Sequence, residues 1–196
     1  MISYLMGFFA FIGLILISPL IIFAMAIIFI EDGSPVLFVQ RRIGKNEKPF
    51  NIIKLRTMNK NTPNKATHEI SQNNYLRSGS ILRKTKIDEL PQVLNYLKGD
   101  INLIGPRPGL PSQNDLITYR KLNNVFKIKP GITGLAQVLG YDMSNPELLS
   151  RIDGLYINKK SITLDINIFI ATFFHVYRVK IKNKFKKELK EIHNDI

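Results

Sequence analysis

The sequence contains no cysteine, and this absence excludes a disulfide scaffold, a thiolate zinc site and a cysteine nucleophile. Acidic side chains are also scarce: 15 of them stand against 28 lysines and arginines in 196 residues, for a formal charge of +13. Hydrophobic residues make up 45% of the chain, which is enough for a core and excludes full disorder. A chain of this length fits one domain, or one domain with an appendage.

Charged side chains are missing altogether from residues 1–30. About 20 apolar residues span the ~30 Å hydrocarbon core of a bilayer, so this segment is longer than a simple span needs. Ser18-Pro19 interrupts it near the middle: Pro19 removes a backbone donor, and the Ser18 hydroxyl can satisfy the carbonyl that is left. Two alternatives remain, a kinked span and a re-entrant helix–break–helix hairpin that enters and leaves by one face of the membrane.

The flanks of this segment indicate its orientation. No basic region precedes it, which disfavours a cleaved signal peptide. The first basic residues after it are Arg41, Arg42 and Lys45. Basic residues beside a membrane segment favour the cytoplasmic side, so we expect the remaining chain to lie there.

The remaining chain predicts an α+β fold that is mainly helical. Two β-rich runs flank Lys45–Lys48 and predict a small hairpin, while residues 59–75 are polar and loop-like. Gly99 suits the position directly after a helix, where a left-handed residue is common. Helices are predicted over residues 76–87, 89–98, 112–126, 146–158 and, as one long apolar helix, 162–179; turns are predicted over 105–109 and 129–134.

Residues 178–190 carry seven basic side chains and one acidic one. The ordinary interpretation is a solvated helix end, but directly after an apolar helix a basic amphipathic segment favours an anionic membrane surface. A basic chain can also bind nucleic acid, yet no zinc finger or aromatic-rich RNA-binding motif is present. The basic excess therefore favours membrane lipids and phosphate-bearing substrates, and no nucleic-acid partner is expected.

Asp88-Glu89 is the strongest candidate for chemistry. At the start of the helix predicted over 89–98, Asp88 fits an N-cap and Glu89 complements the helix dipole, which is the ordinary structural interpretation. The same helix N-terminus attracts phosphate, two adjacent carboxylates suit Mg²⁺ bound to a substrate phosphate, and aspartate is a known phosphoryl acceptor. Residue chemistry alone leaves both interpretations open, and capping is the more common of the two.

Other candidates are weaker on their own. Arg107 lies between two prolines and offers a rigid fork for phosphate, or is a surface turn residue. Asp165 stands in an otherwise apolar helix, where an acid needs a partner or a polar edge. No P-loop, G-x-S-x-G or G-x-G-x-x-G motif occurs. The histidines, which lack metal-ligand spacing, are His68, His175 and His193.

A series of ordered motifs runs along nearly the whole chain. The motifs are Ser18-Pro19 in the apolar segment, Gln40-x-Arg42-x-Gly44, Lys54-Leu55-Arg56-Thr57-Met58, Asp88-Glu89-Leu90-Pro91-Gln92, Lys98-Gly99-Asp100, Gly105-Pro106-Arg107-Pro108, Pro130-Gly131-Ile132-Thr133-Gly134-Leu135-Ala136-Gln137-Val138 and Leu164-Asp165. In this order they resemble the bacterial sugar transferase family, and in particular its small monotopic phosphoglycosyl transferases.

The resemblance implies a reaction in which a sugar 1-phosphate moves from a UDP-sugar to polyprenyl phosphate, with release of UMP and with Mg²⁺ as cofactor. It implies that Asp88 is the nucleophile that forms a phosphosugar–enzyme intermediate, with Glu89 as its partner, and that these two carboxylates lie at the metal. Phosphate binding by Arg107, Arg56 and Arg83 is implied as well. The implied place is the cytoplasmic face of a bacterial inner membrane, at the first membrane step of glycoconjugate or polysaccharide synthesis.

We therefore expect three parts. Residues 1–30 form a re-entrant membrane helix with its break at Ser18-Pro19, residues 31–177 form the catalytic domain, and residues 178–196 form a basic tail on the membrane surface. An alternative function is that of a non-catalytic membrane-anchored adaptor whose basic surface recruits acidic partners.

Overall fold

The computed structural model describes residues 2–62 and 74–195, with side chains from residue 11 onward. His68 and most of the predicted loop 59–75 lie outside the described residues. Helices α1 to α9 span Ile2–Asp32, Arg77–Lys84, Gln92–Lys98, Asn114–Leu122, Leu135–Leu139, Pro146–Lys159, Ile162–Phe173, His175–Lys184 and Lys186–Asn194. Strands β1 to β4 span Leu37–Ile43, Pro49–Leu55, Asn102–Ile104 and Gly131–Thr133. The fold is mostly helical with small sheets, as predicted.

The chain divides into two compact units. The first unit comprises Met1–Gln40 and Asn51–Gly99, and the second comprises Arg41–Phe50 and Asp100–Ile196. The division cuts through the segment 31–177, whose assignment as the catalytic domain stays a prediction. β1 and β2 pair with each other as the predicted hairpin.

α1 carries Pro19 in its interior, and the structure describes one continuous helix where a helix–break–helix was expected. Because Pro19 has no N–H, the carbonyl of Ile15, four residues earlier, loses its usual donor. Ser18 Oγ donates a hydrogen bond to that carbonyl at 2.8 Å, which confirms the predicted compensation. The re-entrant path of the helix stays a prediction.

The part of α1 with described side chains, Phe11–Asp32, is long and apolar enough to cross a bilayer. Most of its large side chains are exposed, among them Leu16, Phe23 and Ile30. Only its last turns join the core of the first unit, which is formed by Ala24, Ile28, Leu55, Leu76 and Leu82. The exposed apolar surface therefore runs along the helix from Phe11 to Ile30, beside the few side chains that join this core.

The end of α1 is tied to the rest of the first unit by its two acidic residues. Glu31 accepts hydrogen bonds from the backbone N–H groups of Arg77 and Ser78, so it satisfies the N-terminus of α2 as a capping residue would. Asp32 forms an ion pair with the Arg56 guanidinium. These contacts fix where the apolar helix leaves the unit.

The second unit is built around a short parallel sheet and helices α4 to α9. β3 pairs with β4 so that Asn102 lies opposite Gly131 and Ile104 opposite Thr133. A Cβ on Gly131 would collide with the backbone of Gly105, so this close approach requires glycine. The buried core residues of the second unit are Ile104, Leu116, Leu135, Ala136, Val138, Leu149, Ile152, Tyr156, Leu164, Ile168, Ala171, Ile181, Phe185 and Leu189.

Two local predictions about the second unit are wrong. The turn expected over 129–134 contains β4, because its strand partner is far away in the sequence and leaves no local pattern. The single helix expected over 162–179 is two helices, α7 and α8, with extended backbone at Phe174. Arg178 explains the break, since its guanidinium donates to the carbonyls of Ala171 and Thr172 at 2.8 Å and so satisfies the end of α7.

The basic C-terminal segment folds against the second unit. Ile181, Phe185 and Leu189 recur every four residues and are all buried in its core, as expected of one apolar helical face. The lysines of α8 and α9 point away from this core and are exposed. The segment is thus amphipathic, while its contact with a membrane stays a prediction.

Candidate functional site

Asp88 and Glu89 lie in a single 3₁₀ turn, Ile87–Glu89, between α2 and α3. Both carboxylates are buried, with 6% and 8% of their surface exposed. The interpretation of Asp88 as the N-cap of the next helix is wrong. That helix begins only at Gln92, its N-cap is Pro91, and no side chain caps it. The fixed φ of proline suits the start of a helix, which moves the N-terminus past the two acids.

The turn is preceded by an unusual backbone conformation. Lys86 is left-handed, with φ of 62°, in the position after α2 where glycine is the usual residue. A left-handed non-glycine residue costs about 1 kcal/mol or more and needs support from its surroundings. Its effect here is to reverse the chain sharply, so that the two carboxylates follow α2 directly and turn into the first unit.

Lys54 of β2 is the cationic partner of the two carboxylates. Its ammonium forms an ion pair with Glu89 Oε1 at 2.8 Å, and the side chains are only 14% and 9% exposed. Lys54 belongs to one of the ordered motifs, but sequence analysis assigned it no role. The available signal was its position in an apolar β-strand, two residues after buried Ile52 and therefore on the same face of the strand.

The electrostatics of Asp88 follow from this burial. Loss of solvation raises the pKa of the Asp88 carboxyl above its ordinary value of 3.8. The ammonium of Lys54 opposes this rise, the neighbouring charge of Glu89 adds to it, and Arg83 and Lys86 oppose it to a smaller extent. Asp88 is therefore a carboxylate whose anion is poorly solvated and held among several cations, which suits a nucleophile toward a phosphorylated substrate.

Arg83 belongs to the same electrostatic environment, but its visible contacts are structural. Its guanidinium donates to Thr57 Oγ1 at 2.9 Å and to the Tyr75 hydroxyl at 2.8 Å, and it lies over the Tyr75 ring. α2 approaches the backbone at Thr57 so closely that a Cβ on Gly79 would collide with the Thr57 carbonyl. This packing fixes the direction from which Arg83 faces the carboxylates.

Arg56 is buried and engaged with the end of α1. Its guanidinium binds the Asp32 carboxylate and also donates to the backbone carbonyl of Gly33 at 2.7 Å. These contacts favour a role in holding the apolar helix to the first unit. A role for Arg56 in phosphate binding stays a prediction.

Arg107 lies in the second unit, in the segment between β3 and the start of α4. Arg42 donates to the carbonyl of Pro108 at 3.2 Å, and the N–H of Ile43 donates to the carbonyl of Gly109 at 3.0 Å. Burial, and after it the charge of Arg107, lowers the pKa of Arg42 to about 10. The end of β1 is therefore hydrogen-bonded to the turn that carries Arg107, and the guanidinium of Arg42 adds a second positive charge there. Such a positive environment suits a phosphate.

Asp165 has a hydrogen-bond partner, as expected for an acid in an otherwise apolar helix. The hydroxyl of Tyr156 donates to Asp165 Oδ1 at 2.7 Å, and Tyr156 itself is almost fully buried. Burial, together with this hydrogen bond, raises the pKa of the Tyr156 hydroxyl. The pair joins α6 to α7 within the core of the second unit.

Asp88 and Glu89 are the residues that could hold Mg²⁺. Among the side chains of residues 11–62 and 74–195, no group of three or more acids or histidines could hold a metal ion. Mg²⁺ commonly takes one or two carboxylates and completes its shell with substrate phosphates and water. Asp88 and Glu89 fit that smaller requirement as adjacent buried carboxylates.

Comparisons with known proteins point to one family. A family model described as "Bacterial sugar transferase" matches residues 3–179. The chain is 39% identical over 155 residues to "Uncharacterized sugar transferase EpsL" of Bacillus subtilis, covering 79% of this chain and 76% of that protein. It is 37% identical over 168 residues to the "UDP-glucose:undecaprenyl-phosphate glucose-1-phosphate transferase" of Caulobacter vibrioides, covering 80% and 62%.

A third relative differs in the sugar that its name gives. The "UDP-N-acetylgalactosamine-undecaprenyl-phosphate N-acetylgalactosaminephosphotransferase" of Aeromonas hydrophila is 36% identical over 171 residues, covering 83% of this chain and 40% of that protein. The chain thus spans less than two thirds of the length of these last two relatives. Since the family match extends over nearly the whole of this chain, the chain belongs to the bacterial sugar transferase family.

Proposed function

We propose that this transferase moves a sugar 1-phosphate from a UDP-sugar to polyprenyl phosphate. The observation that carries the proposal is the buried pair Asp88-Glu89 with Lys54 at 2.8 Å from Glu89, in a chain of this family. Relatives named as UDP-sugar:undecaprenyl-phosphate transferases support the substrate classes.

The proposed reaction has two displacements at one phosphorus atom. In the first, an Asp88 carboxylate oxygen attacks the β-phosphorus of the UDP-sugar, the bond from that phosphorus to the bridging oxygen breaks, and UMP leaves with this oxygen. In the second, a phosphate oxygen of polyprenyl phosphate attacks the same phosphorus and the bond to Asp88 breaks. Covalent catalysis of this kind replaces one difficult transfer by two easier ones.

The other residues have supporting roles in this proposal. Glu89 lies beside the nucleophile and, with Asp88, would hold Mg²⁺, which when bound neutralises charge on the phosphates. Arg83 contributes positive charge near Asp88. Arg107, with Arg42 nearby in the second unit, is proposed to bind substrate phosphate.

A membrane location supports the same function, because polyprenyl phosphate is held in a bilayer. The apolar surface of Phe11–Asp32 is the proposed anchor, with a re-entrant path whose bend is at Ser18-Pro19. A second exposed apolar surface on α7 and α8 comprises Ile162, Ile166, Phe169, Phe173, Phe174, Val176 and Val179. Exposed lysines of α8 and α9 follow it directly, so anionic lipid is its proposed contact. The proposed site is the cytoplasmic face of a bacterial inner membrane.

The reaction is tested with the purified chain in lipid nanodiscs, polyprenyl phosphate, Mg²⁺ and a panel of UDP-sugars, with UMP release as the readout. We expect UMP release with at least one sugar. With the sugar-linked phosphate radiolabelled, the wild-type protein should carry label when the acceptor is omitted, and Asp88→Asn should carry none and lose activity by 10³-fold or more. Asp115→Asn, at an exposed aspartate of α4, is the matched control and should behave as wild type.

Two results would contradict the proposal. Full activity of Asp88→Asn would exclude Asp88 as nucleophile. The absence of UMP release with every sugar would favour the non-catalytic adaptor instead.

The re-entrant path is tested separately, and the lack of native cysteine makes the experiment simple. Single cysteines introduced at Ser3 and at exposed Ser161 are labelled in intact cells with a reagent that does not cross the inner membrane. If the helix is re-entrant, both positions stay unlabelled until the cells are opened. Labelling of the Ser3 position alone in intact cells would show a true span.

A further inference from the structure

Lys54 lies where a lysine is costly unless it has a defined task. Its side chain is 14% exposed, and burial of an ammonium is unfavourable without a well-placed partner. Glu89 Oε1 at 2.8 Å provides that partner. Replacement of such a pair by apolar residues is often neutral or stabilising, so stability alone does not explain why this pair stands beside a second carboxylate.

The charge of Lys54 acts on both acids of the turn. It contacts Glu89 directly at 2.8 Å, and Asp88 is the residue before Glu89 in the same buried turn. One ammonium therefore offsets the repulsion between two adjacent carboxylates.

Asn95 fixes the strand that carries Lys54. This α3 side chain is 1% exposed. Its Oδ1 accepts from the N–H of Ile53 at 3.0 Å, and its Nδ2 donates to the carbonyl of Asn51 at 2.7 Å. A residue of a neighbouring parallel strand opposite Ile52 would make the same two bonds. The amide thus replaces a strand partner and sets the register of β2 directly before Lys54.

We propose that Lys54, held in register by Asn95, is a positioning residue that serves as the built-in counter-ion of the Asp88–Glu89 pair. It holds the Glu89 carboxylate in place and competes for it with an incoming divalent cation. The inference rests on the proposed function for its effect on turnover, whereas its effect on cation affinity is independent of the reaction. Loss of a partner that orients a catalytic carboxylate typically lowers activity by about 10- to 100-fold.

The test uses Lys54→Met, which keeps most of the length of the side chain and removes its charge. Lys84→Met, at an exposed lysine of α2, removes the same charge elsewhere in the first unit and is the matched control. We expect Lys54→Met to lower kcat by about 10- to 100-fold, with KM for the UDP-sugar little changed because Lys54 acts on Glu89 and not on the nucleotide. We expect Lys84→Met to keep both constants.

A second readout needs no substrate. The Mg²⁺ concentration that gives half of the maximal rise in Tm should fall several-fold in Lys54→Met, because the competing ammonium is gone. If Lys54 were merely structural, its removal would raise this Mg²⁺ midpoint or leave it unchanged. If Lys54→Met matches Lys84→Met in kcat and in the Mg²⁺ midpoint, the inference is overturned.

The inference stays testable if Lys54→Met does not fold. In that case Lys54→Met/Glu89→Gln should fold with a Tm close to that of Glu89→Gln alone, since the neutral amide needs no counter-ion; an unfolded double variant would overturn the inference. Failure of the wild-type protein to release UMP is a different result. It would remove the proposed function, while the Mg²⁺ midpoint and the stability comparison would still decide on Lys54.

Discussion

Each unit of the molecule contains a buried ion pair of similar length, and the two pairs differ in their surroundings. In the first unit Lys54 meets Glu89 at 2.8 Å beside a second carboxylate, Asp88, and the side chains keep 14% and 9% exposure. In the second unit Arg120 meets Asp153 at 2.6 Å, and both side chains are 3% exposed. One pair carries an excess negative charge within reach of solvent, whereas the other is balanced and sealed.

The different surroundings of the two pairs indicate which buried charges are candidates for chemistry. Burial raises the pKa of Asp153, as it does for Asp88, so a perturbed pKa does not separate the two. The presence of a second carboxylate next to the ion pair does. We infer that the Arg120–Asp153 pair serves the structure of the second unit and that the Lys54–Glu89 pair serves the site.

The Arg120–Asp153 pair should have the largest effect on the free energy of unfolding. Asp153→Asn leaves the Arg120 charge buried without its counter-ion, which should cost about 3–5 kcal/mol of unfolding free energy. For a chain of this size each kcal/mol lowers Tm by roughly 2–4 °C, measured by thermal unfolding in detergent. The double change Arg120→Met/Asp153→Leu should recover most of the loss, and a stable Asp153→Asn protein would show that the pair is not needed.

Asp88, which lies beside the Lys54–Glu89 pair, should control the pH dependence of activity. Because burial raises the pKa of Asp88, the acid limb of kcat/KM should lie above pH 3.8 and fall about tenfold per pH unit below its midpoint. The double variant Arg120→Met/Asp153→Leu should keep the same limb. A profile that is flat down to pH 4 would contradict the assignment of Asp88.

The same burial predicts a stability cost for the nucleophile. The pKa of Asp88 is higher in the folded chain than in the unfolded chain, so the ionised form opposes folding. The free energy of unfolding therefore falls as pH rises from the unfolded pKa to the folded pKa. Asp88→Asn should therefore be inactive yet more stable at neutral pH without Mg²⁺, by about 1 kcal/mol. The gain should vanish below pH 3.8, and its persistence there would argue against this cause.

An exposed pair provides the smallest effect and the reference for the other two. Arg151 meets Glu147 at 2.9 Å on α6, with both side chains near 30% exposure. A double-mutant cycle with Glu147→Gln and Arg151→Gln should give a coupling of about 0.3–0.5 kcal/mol. A coupling as large as that of Arg120–Asp153 would remove the contrast between sealed and solvated pairs.

Local signals allowed the prediction of much of the fold. The hairpin around Lys45–Lys48, the helix predicted over 146–158 and the left-handed Gly99 after α3 are confirmed, since each depends on neighbouring residues. The strands β3 and β4 depend on a partner far along the chain and were missed. The end of α7 was missed for a similar reason, because the Arg178 side chain that satisfies it comes from the next helix.

The candidate site was predicted only in part. Ordered motifs identified Asp88 and Glu89, but their ordinary interpretation as helix caps was wrong, since Pro91 starts the helix later. Lys54 and Asn95 had no role because a contact between a strand lysine and a turn carboxylate leaves no spacing in the sequence. Mg²⁺ and the roles of Arg56 and Arg107 stay predictions.

The side-chain amide of Asn95 has a consequence for association between chains. A two-stranded ribbon such as β1–β2 has open edges, whose free N–H and C=O groups can recruit a strand from another molecule. Asn95 occupies the donor of Ile53 and the acceptor of Asn51 on one of these edges. This buried amide therefore leaves neither group free to pair with a strand of a second copy.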